Sequence, residues 1–190
     1  MKILYKSLVK LILLILIILF SGTSLMAVEE PEYRVIQTDG PIEIRDYEAM
    51  VVAETIVAAP FERAGNSAFR GLFNYISDND ISMTAPVTQE AADEGWAVRF
   101  IMPEGSALES LPKPTTSNVV LKPVPAQRVA VIRYSGTWSS DKYNDHLNNL
   151  ESWVESNGFE TIGEPVWARY NGPFTMWFLR RNEILLPIRQ

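Results

Sequence analysis

The chain contains no cysteine. That excludes disulfides, thiolate zinc sites, iron–sulfur clusters, thiolate-ligated haem, a cysteine nucleophile and a lipid-modified N-terminal cysteine. It contains one histidine, His146, so a multi-histidine metal site cannot be built, and a Ser-His-Asp triad would have to use that residue. Basic residues are outnumbered, 17 against 23 acidic, for a net charge of −6. The basic footprint that nucleic-acid binding requires is missing, and no nucleic-acid partner is expected. Glycine-rich phosphate loops, HExxH and GxSxG are also absent, so no motif marks an enzyme.

Hydrophobic residues make up 47% of the 190 positions, enough for a core. The first 27 residues read as a separate object. "MKILYKSLVK" carries three lysines and no acid, "LILLILIILF" is apolar, and "SGTSLMA" ends in small residues at Ala27. This is the order of a secretory signal peptide, and cleavage after Ala27 is expected. The run Leu11 to Phe20 is short for a membrane span of roughly 20 residues. The alternative is an uncleaved anchor over residues 8–28, which would be the one membrane contact. Cleavage would leave 14 basic against 23 acidic residues, a net of −9. The expected location is periplasmic or secreted, and residues 28–190 form the expected domain.

The rest of the chain alternates strand and helix language. Strands are predicted near 33–38, 42–47 and 49–57, with a turn at Asp39-Gly40. Pro60 opens a helix whose stripe is Phe61, Gly65, Ala68, Leu72 and Ile76. "ISMTAPVTQ" reads as a strand interrupted by Pro86, and "GWAVRFIMP" as a cleanly alternating one. After a polar connector come "VVLKPV" and "QRVAVIRYSG", a helix over about 141–157, "EPVWARYN" and "NEILLPI". Strand, helix, strand, strand thus occurs twice at a spacing of about 80 residues. Two such units point to a pseudo-symmetric α+β domain, with one sheet or barrel and two helices outside it.

The first helix is the most informative element. Phe69 and Phe73 lie one turn apart at the edge of its stripe, with Asn66 and Arg70 just beyond, so the apolar arc is wider than sheet packing needs. Either the two phenylalanines pack under a loop, or they line a groove with Asn66 and Arg70 at its rim. His146 falls near Trp153 at the edge of the second helix's stripe, where a boundary residue is commoner than a ligand. Met50, Met83, Met102 and Met176 are expected to fill core. Near the C-terminus, "PFTMWFLRRNEILLPI" sets Trp177 and Phe178 beside Arg180 and Arg181. The run ends in a last strand, and the two aromatics are expected to seal an end of the barrel. In a strand the two arginines would face opposite ways, so at most one could meet a ligand.

Several segments in order resemble the SOUL/haem-binding-protein family: "IEIRDYEAMVVAET", "MTAPV" (Met83 to Val87), "WAVRFIMP", "VAVIRYSGTW" and "ARYNGPFTMWFLRRNEILLPI". They span about Tyr33 to Ile188. The resemblance implies a distorted antiparallel β-barrel with two outer helices and a pseudo-two-fold repeat, similar to the effector-binding domains of multidrug-sensing regulators. It also implies non-enzymatic binding of haem or a related tetrapyrrole in a groove on the first helix. Matched along "PFERAGNSAFRGLFNY", the implied ligand-binding residues are Asn66, Phe69, Arg70, Phe73 and Asn74. Members with a proposed axial histidine carry it within I-R-x-Y, where this chain has Asp46. His146, the one imidazole available as a metal ligand, is not at that position. Haem is therefore expected to be held mainly by apolar contact and without a strong axial ligand. The alternatives are a binder of other amphipathic small molecules, or an envelope interaction protein with a vestigial groove.

Overall fold

The structure is a computed structural model and describes residues 28–115 and 118–189. The leader and its expected cleavage lie outside the described residues. The first half supplies β1 (Tyr33–Asp39), β2 (Ile42–Tyr47), β3 (Met50–Val57), α1 (Phe61–Asp78), β4 (Val87–Ala92) and β5 (Gly95–Ile101). The second supplies β6 (Val120–Val124), β7 (Gln127–Tyr134), α2 (Ser140–Ser156), β8 (Glu160–Thr161), β9 (Val166–Arg169) and β10 (Asn182–Arg189).

The strands form one antiparallel sheet in the order β1-β2-β7-β10-β9-β4-β5-β3-β6, with β8 added on β10. The two halves interleave, β2 pairing with β7, β9 with β4 and β3 with β6, and β4-β5-β3 on one side of the central β9–β4 pair answers β9-β10-β7 on the other. Helix α1 lies on β3 and β5, and α2 lies on β7 and β10. This is the expected α+β architecture with its internal pseudo-symmetry. The expected closure into a barrel does not occur: among the described residues β1 pairs only with β2, and β6 only with β3. Closure depends on where the two edge strands end up in space, which no local period encodes.

The helix-bearing face carries two apolar cores. Tyr143, Leu150 and Val154 of α2 pack on Ile44, Ile132, Ile184 and Leu186, while Ala68, Leu72 and Ile76 of α1 pack on Ala53, Val98 and Phe100. Phe61 links them, stacked at 4.6 Å on Trp167 of the first and edge-on at 5.2 Å to Trp96, which packs on the second. Because side chains alternate across a strand, the odd-numbered neighbours of Ile44 and Ile184 meet on the opposite face. There Arg45 holds the fully buried Glu183 at 2.8 Å, and Arg181 binds the same carboxylate at 2.9 Å.

Local departures from expectation have simple causes. Pro60 precedes α1 rather than starting it, and its carbonyl accepts from the amides of Arg63 and Ala64. Residues 81–86 leave the sheet, so β4 begins only at Val87, after a cis Ala85–Pro86 bond. Met102 is core and Met50 and Met83 are half-buried, but Met176 is exposed. Trp177 and Phe178 seal nothing: with Leu179 they form a 3-10 turn on an exposed apolar flap after Gly172-Pro173.

Candidate functional site

Helix α1 turns Ala64, Gly65, Ala68, Leu72, Tyr75 and Ile76 inward. The spacing of three and four places them on one side, as the helical period requires. Phe69 and Phe73 stay outside that stripe, 42% and 44% exposed. Their rings stack on each other at 5.6 Å with 13° between planes. The base of Phe69 is fixed edge-on against the buried Phe100 at 5.4 Å. The pair is thus a flat aromatic shelf open to solvent, not a plug under a loop.

Beside this shelf lies a cleft of about 290 Å³. Gly65, Asn66 and Phe69 of α1 form one wall. Met83, Thr84, Ala85 and Val87 form the second, and residues 169–173 with Trp138 the third. The "MTAPV" segment and the "RYNGP" segment therefore both line it, side by side where Val87 pairs with Arg169 across adjacent strands. Of the five residues expected at a site, Asn66 and Phe69 line the cleft. Phe73 extends the shelf, while Arg70 and Asn74 are exposed further along the helix and do not line it.

The charged member of the lining is Arg169, which sequence reasoning passed over as a strand residue. It is only 7% exposed. Its guanidinium lies against the bare Cα of Gly65, with the faces of Trp167 at 4.9 Å and Trp138 at 5.3 Å from Cζ. Its Nε is buried with no hydrogen-bond partner among the described residues. Burial brings its pKa down to about 10, with Tyr134 acting weakly against that. The group is still a cation at neutral pH.

Arg180 and Arg181 are both engaged elsewhere, ahead of β10 rather than within it. Arg180 stacks on Trp138 at 4.1 Å and donates to the carbonyls of Thr175 and Pro173, which ties down the flap. Arg181 lies over Tyr170 at 3.6 Å and pairs with Glu183 and Glu30. His146 is half-buried on α2, stacked on Tyr134 at 4.1 Å, and burial lowers its pKa. Its neighbour is Tyr134 rather than Trp153, whose indole donates to Asp39. His146 does not line the cleft. Asp46 does not either: Arg128 and Arg34 hold its carboxylate on the sheet.

How the lining could meet haem depends on its donors. Among the side chains that ligate haem iron, it offers the Met83 thioether and Tyr170. The Tyr170 hydroxyl, however, donates to Glu183 at 2.9 Å, and burial pushes its pKa far up. Among the described residues no cluster of three or more His, Asp or Glu could hold a free metal ion. The cleft and shelf present apolar and aromatic surface with one buried cation, and among the described residues their lining offers no imidazole.

Comparison with curated proteins finds no match. Among solved structures, the fold is similar to the C-terminal domain of EcmrR, with a TM-score of 0.63 at 13% identity over 83% of this chain and 98% of that one. It is also similar to a protein described as a hydrolase from Listeria innocua, with a TM-score of 0.58 at 13% identity over 81% and 94%. At such identities these likenesses establish the fold alone. The model of the SOUL heme-binding protein family matches residues 28–187, and the chain belongs to that family.

Proposed function

We propose that the protein binds haem or a related tetrapyrrole without acting chemically on it, on the shelf and cleft of α1. The observation that carries this reading is the solvent-open stacked pair Phe69–Phe73, continuous at Phe69 with an apolar cleft. A contiguous apolar surface of this kind marks a binding site more often than an isolated exposed side chain does. The cleft volume is at the low end for a small-molecule site. It suits one edge of a large flat ligand, whose face would then rest on the phenylalanines. Burial at about 25 cal/mol per Å² of apolar surface supplies affinity with no iron bond, in keeping with the missing imidazole. Asn66 would flank the ring edge, and Arg70 and Asn74 the outer rim of the shelf.

The same lack of imidazole favours a second reading, a metal-free amphipathic molecule as the resident ligand. On either reading the protein works after export, because its lysine-flanked apolar start has the order of a signal peptide. Sequencing of the purified N-terminus should then begin at or near Val28. A retained Met1 in the membrane fraction would indicate an anchor.

A titration of the purified protein with haemin tests the main reading. A saturable Soret shift at one haemin per chain is expected, and it should be lost in Phe69→Glu with the thermal melt preserved. Non-saturating uptake that is identical in wild type and Phe69→Glu would refute the site.

A further inference from the structure

We infer that Arg169 is an anion-recognising group built into the floor of the cleft, and that the cleft selects ligands carrying a carboxylate on an apolar body. The inference rests on the reading of the α1 cleft as a ligand site, but not on the ligand being a tetrapyrrole.

Four observations carry it. Arg169 is more than nine-tenths buried, its Nε fully so, yet among the described residues its guanidinium makes no ion pair and no hydrogen bond. The other well-buried arginine, Arg45, is matched by Glu183 and Glu43. Among the described residues thirteen others line the cleft with Arg169, and none carries a charged side chain. The position is also fixed: Gly65 supplies a gap that no other residue would leave, and two indole faces flank the planar group.

A cation in such a place is costly, because its desolvation is offset only by the two indole faces and not by an anion. Methionine or leucine would fill the volume without that cost. An incoming carboxylate would supply the missing partner through the planar fork of the guanidinium, in the low-dielectric setting where such bonds are strong. With one cation, a monoanion fits and a dianionic phosphate does not. Asn171 adds polar capacity at the rim: its Oδ1 accepts from the Arg181 amide at 2.6 Å, which leaves its Nδ2 group without a partner among the described residues.

The test compares wild type with Arg169→Met and Arg169→Lys, using two pairs of fluorescent probes. One pair is protoporphyrin IX and its dimethyl ester; the other is 1-pyrenebutyrate and 1-pyrenebutanol. Wild type should bind each acid at least about tenfold more tightly than its uncharged counterpart, as expected for a charge-assisted bond in a buried site. Arg169→Met should erase that preference and melt no lower than wild type, because it removes an unpaired buried charge. Arg169→Lys should keep part of the preference. Equal binding of acid and neutral probe by wild type would overturn the inference while leaving the tetrapyrrole reading standing. Selective binding of pyrenebutyrate without binding of either porphyrin would uphold the inference and overturn the tetrapyrrole reading. No binding of any probe would overturn both. A large drop in melting temperature for Arg169→Met, with the acid preference intact, would make Arg169 a structural residue.

Discussion

Gly65 makes room for Arg169. A Cβ built on Gly65 would stand 2.5 Å from Cζ of the guanidinium and nearer still to Nη2. A glycine inside a helix costs about 1 kcal/mol relative to alanine, so α1 gives up stability where the cation of the cleft comes to rest. Gly65→Ala should push the guanidinium aside, since it is the free end of a long side chain. The fold should persist, with a melting temperature near that of wild type, and the preference for protoporphyrin IX over its dimethyl ester should disappear. A fall of about 10 °C, as overpacking of a rigid core would give, would mean that Arg169 cannot move and belongs to the core.

Neighbouring residues on α1 should behave differently. Leu72 is fully buried and Phe73 is 44% exposed. Leu72→Glu places an unpaired charge in the core and should unfold the protein or prevent its expression. Phe73→Glu should change stability by no more than about 1 kcal/mol and weaken haemin binding strongly. Arg70→Ala should cost about 0–1 kcal/mol of binding. Thermal melting and haemin titration of the three variants separate shelf from core. If Phe73→Glu melts as badly as Leu72→Glu, the shelf is part of the core.

His146 should be dispensable for haemin. It stacks on Tyr134 on the second helix and does not line the cleft. His146→Ala should leave the haemin Soret band and its midpoint unchanged, apart from a small loss of thermal stability from the lost ring contact. Disappearance of the Soret shift would make the imidazole an iron ligand and move the site to α2.

Asp46 predicts an acid-sensitive contribution to stability. Hydrogen bonds from Arg128 at 2.6 and 2.9 Å, with Arg34 at 3.1 Å, bring its pKa down to about 2 despite some desolvation. An unfolded aspartate titrates near 3.9. The folded state therefore binds fewer protons between these values, so the contribution is present in full above about pH 4 and is lost as pH falls through about 2. Urea midpoints should show Asp46→Asn less stable than wild type at pH 7, with the gap closing towards pH 2. A gap that is constant with pH would mean that the ion pair contributes nothing.

The periodic elements were legible in the sequence because their burial is periodic. Ile42 and Ile44 announce β2, and Ala68, Leu72 and Ile76 announce the inner face of α1. Phe69 and Phe73 stood out as surplus to that face, and the structure leaves them exposed. Arg169 was not legible. In "VWARYN" it reads as an ordinary strand residue, and its isolation is set by Gly65 on one helix and Trp138 before the other. A glycine on the buried stripe of α1 was the available signal, since a small residue there announces a close approach. Trp177, Phe178 and Met176 misled because their composition is that of a core. The turn after Gly172-Pro173 and the ties from Arg180 to Pro173 and Thr175 hold that segment outward instead. The open sheet was illegible for a related reason: whether β1 meets β6 depends on accumulated twist, not on either strand's residues.

A tetrapyrrole is proposed to sit on the shelf and cleft of α1. Amide chemical-shift mapping of isotope-labelled protein with diamagnetic gallium protoporphyrin IX reads this directly. Saturable shifts are expected, confined to the non-proline amides of residues 65–73, 83–87 and 169–173, with Trp138 among the shifted indoles. Shifts centred on Tyr47, Val129 and Leu185 on the opposite face of the sheet, with those of α1 unmoved, would contradict it.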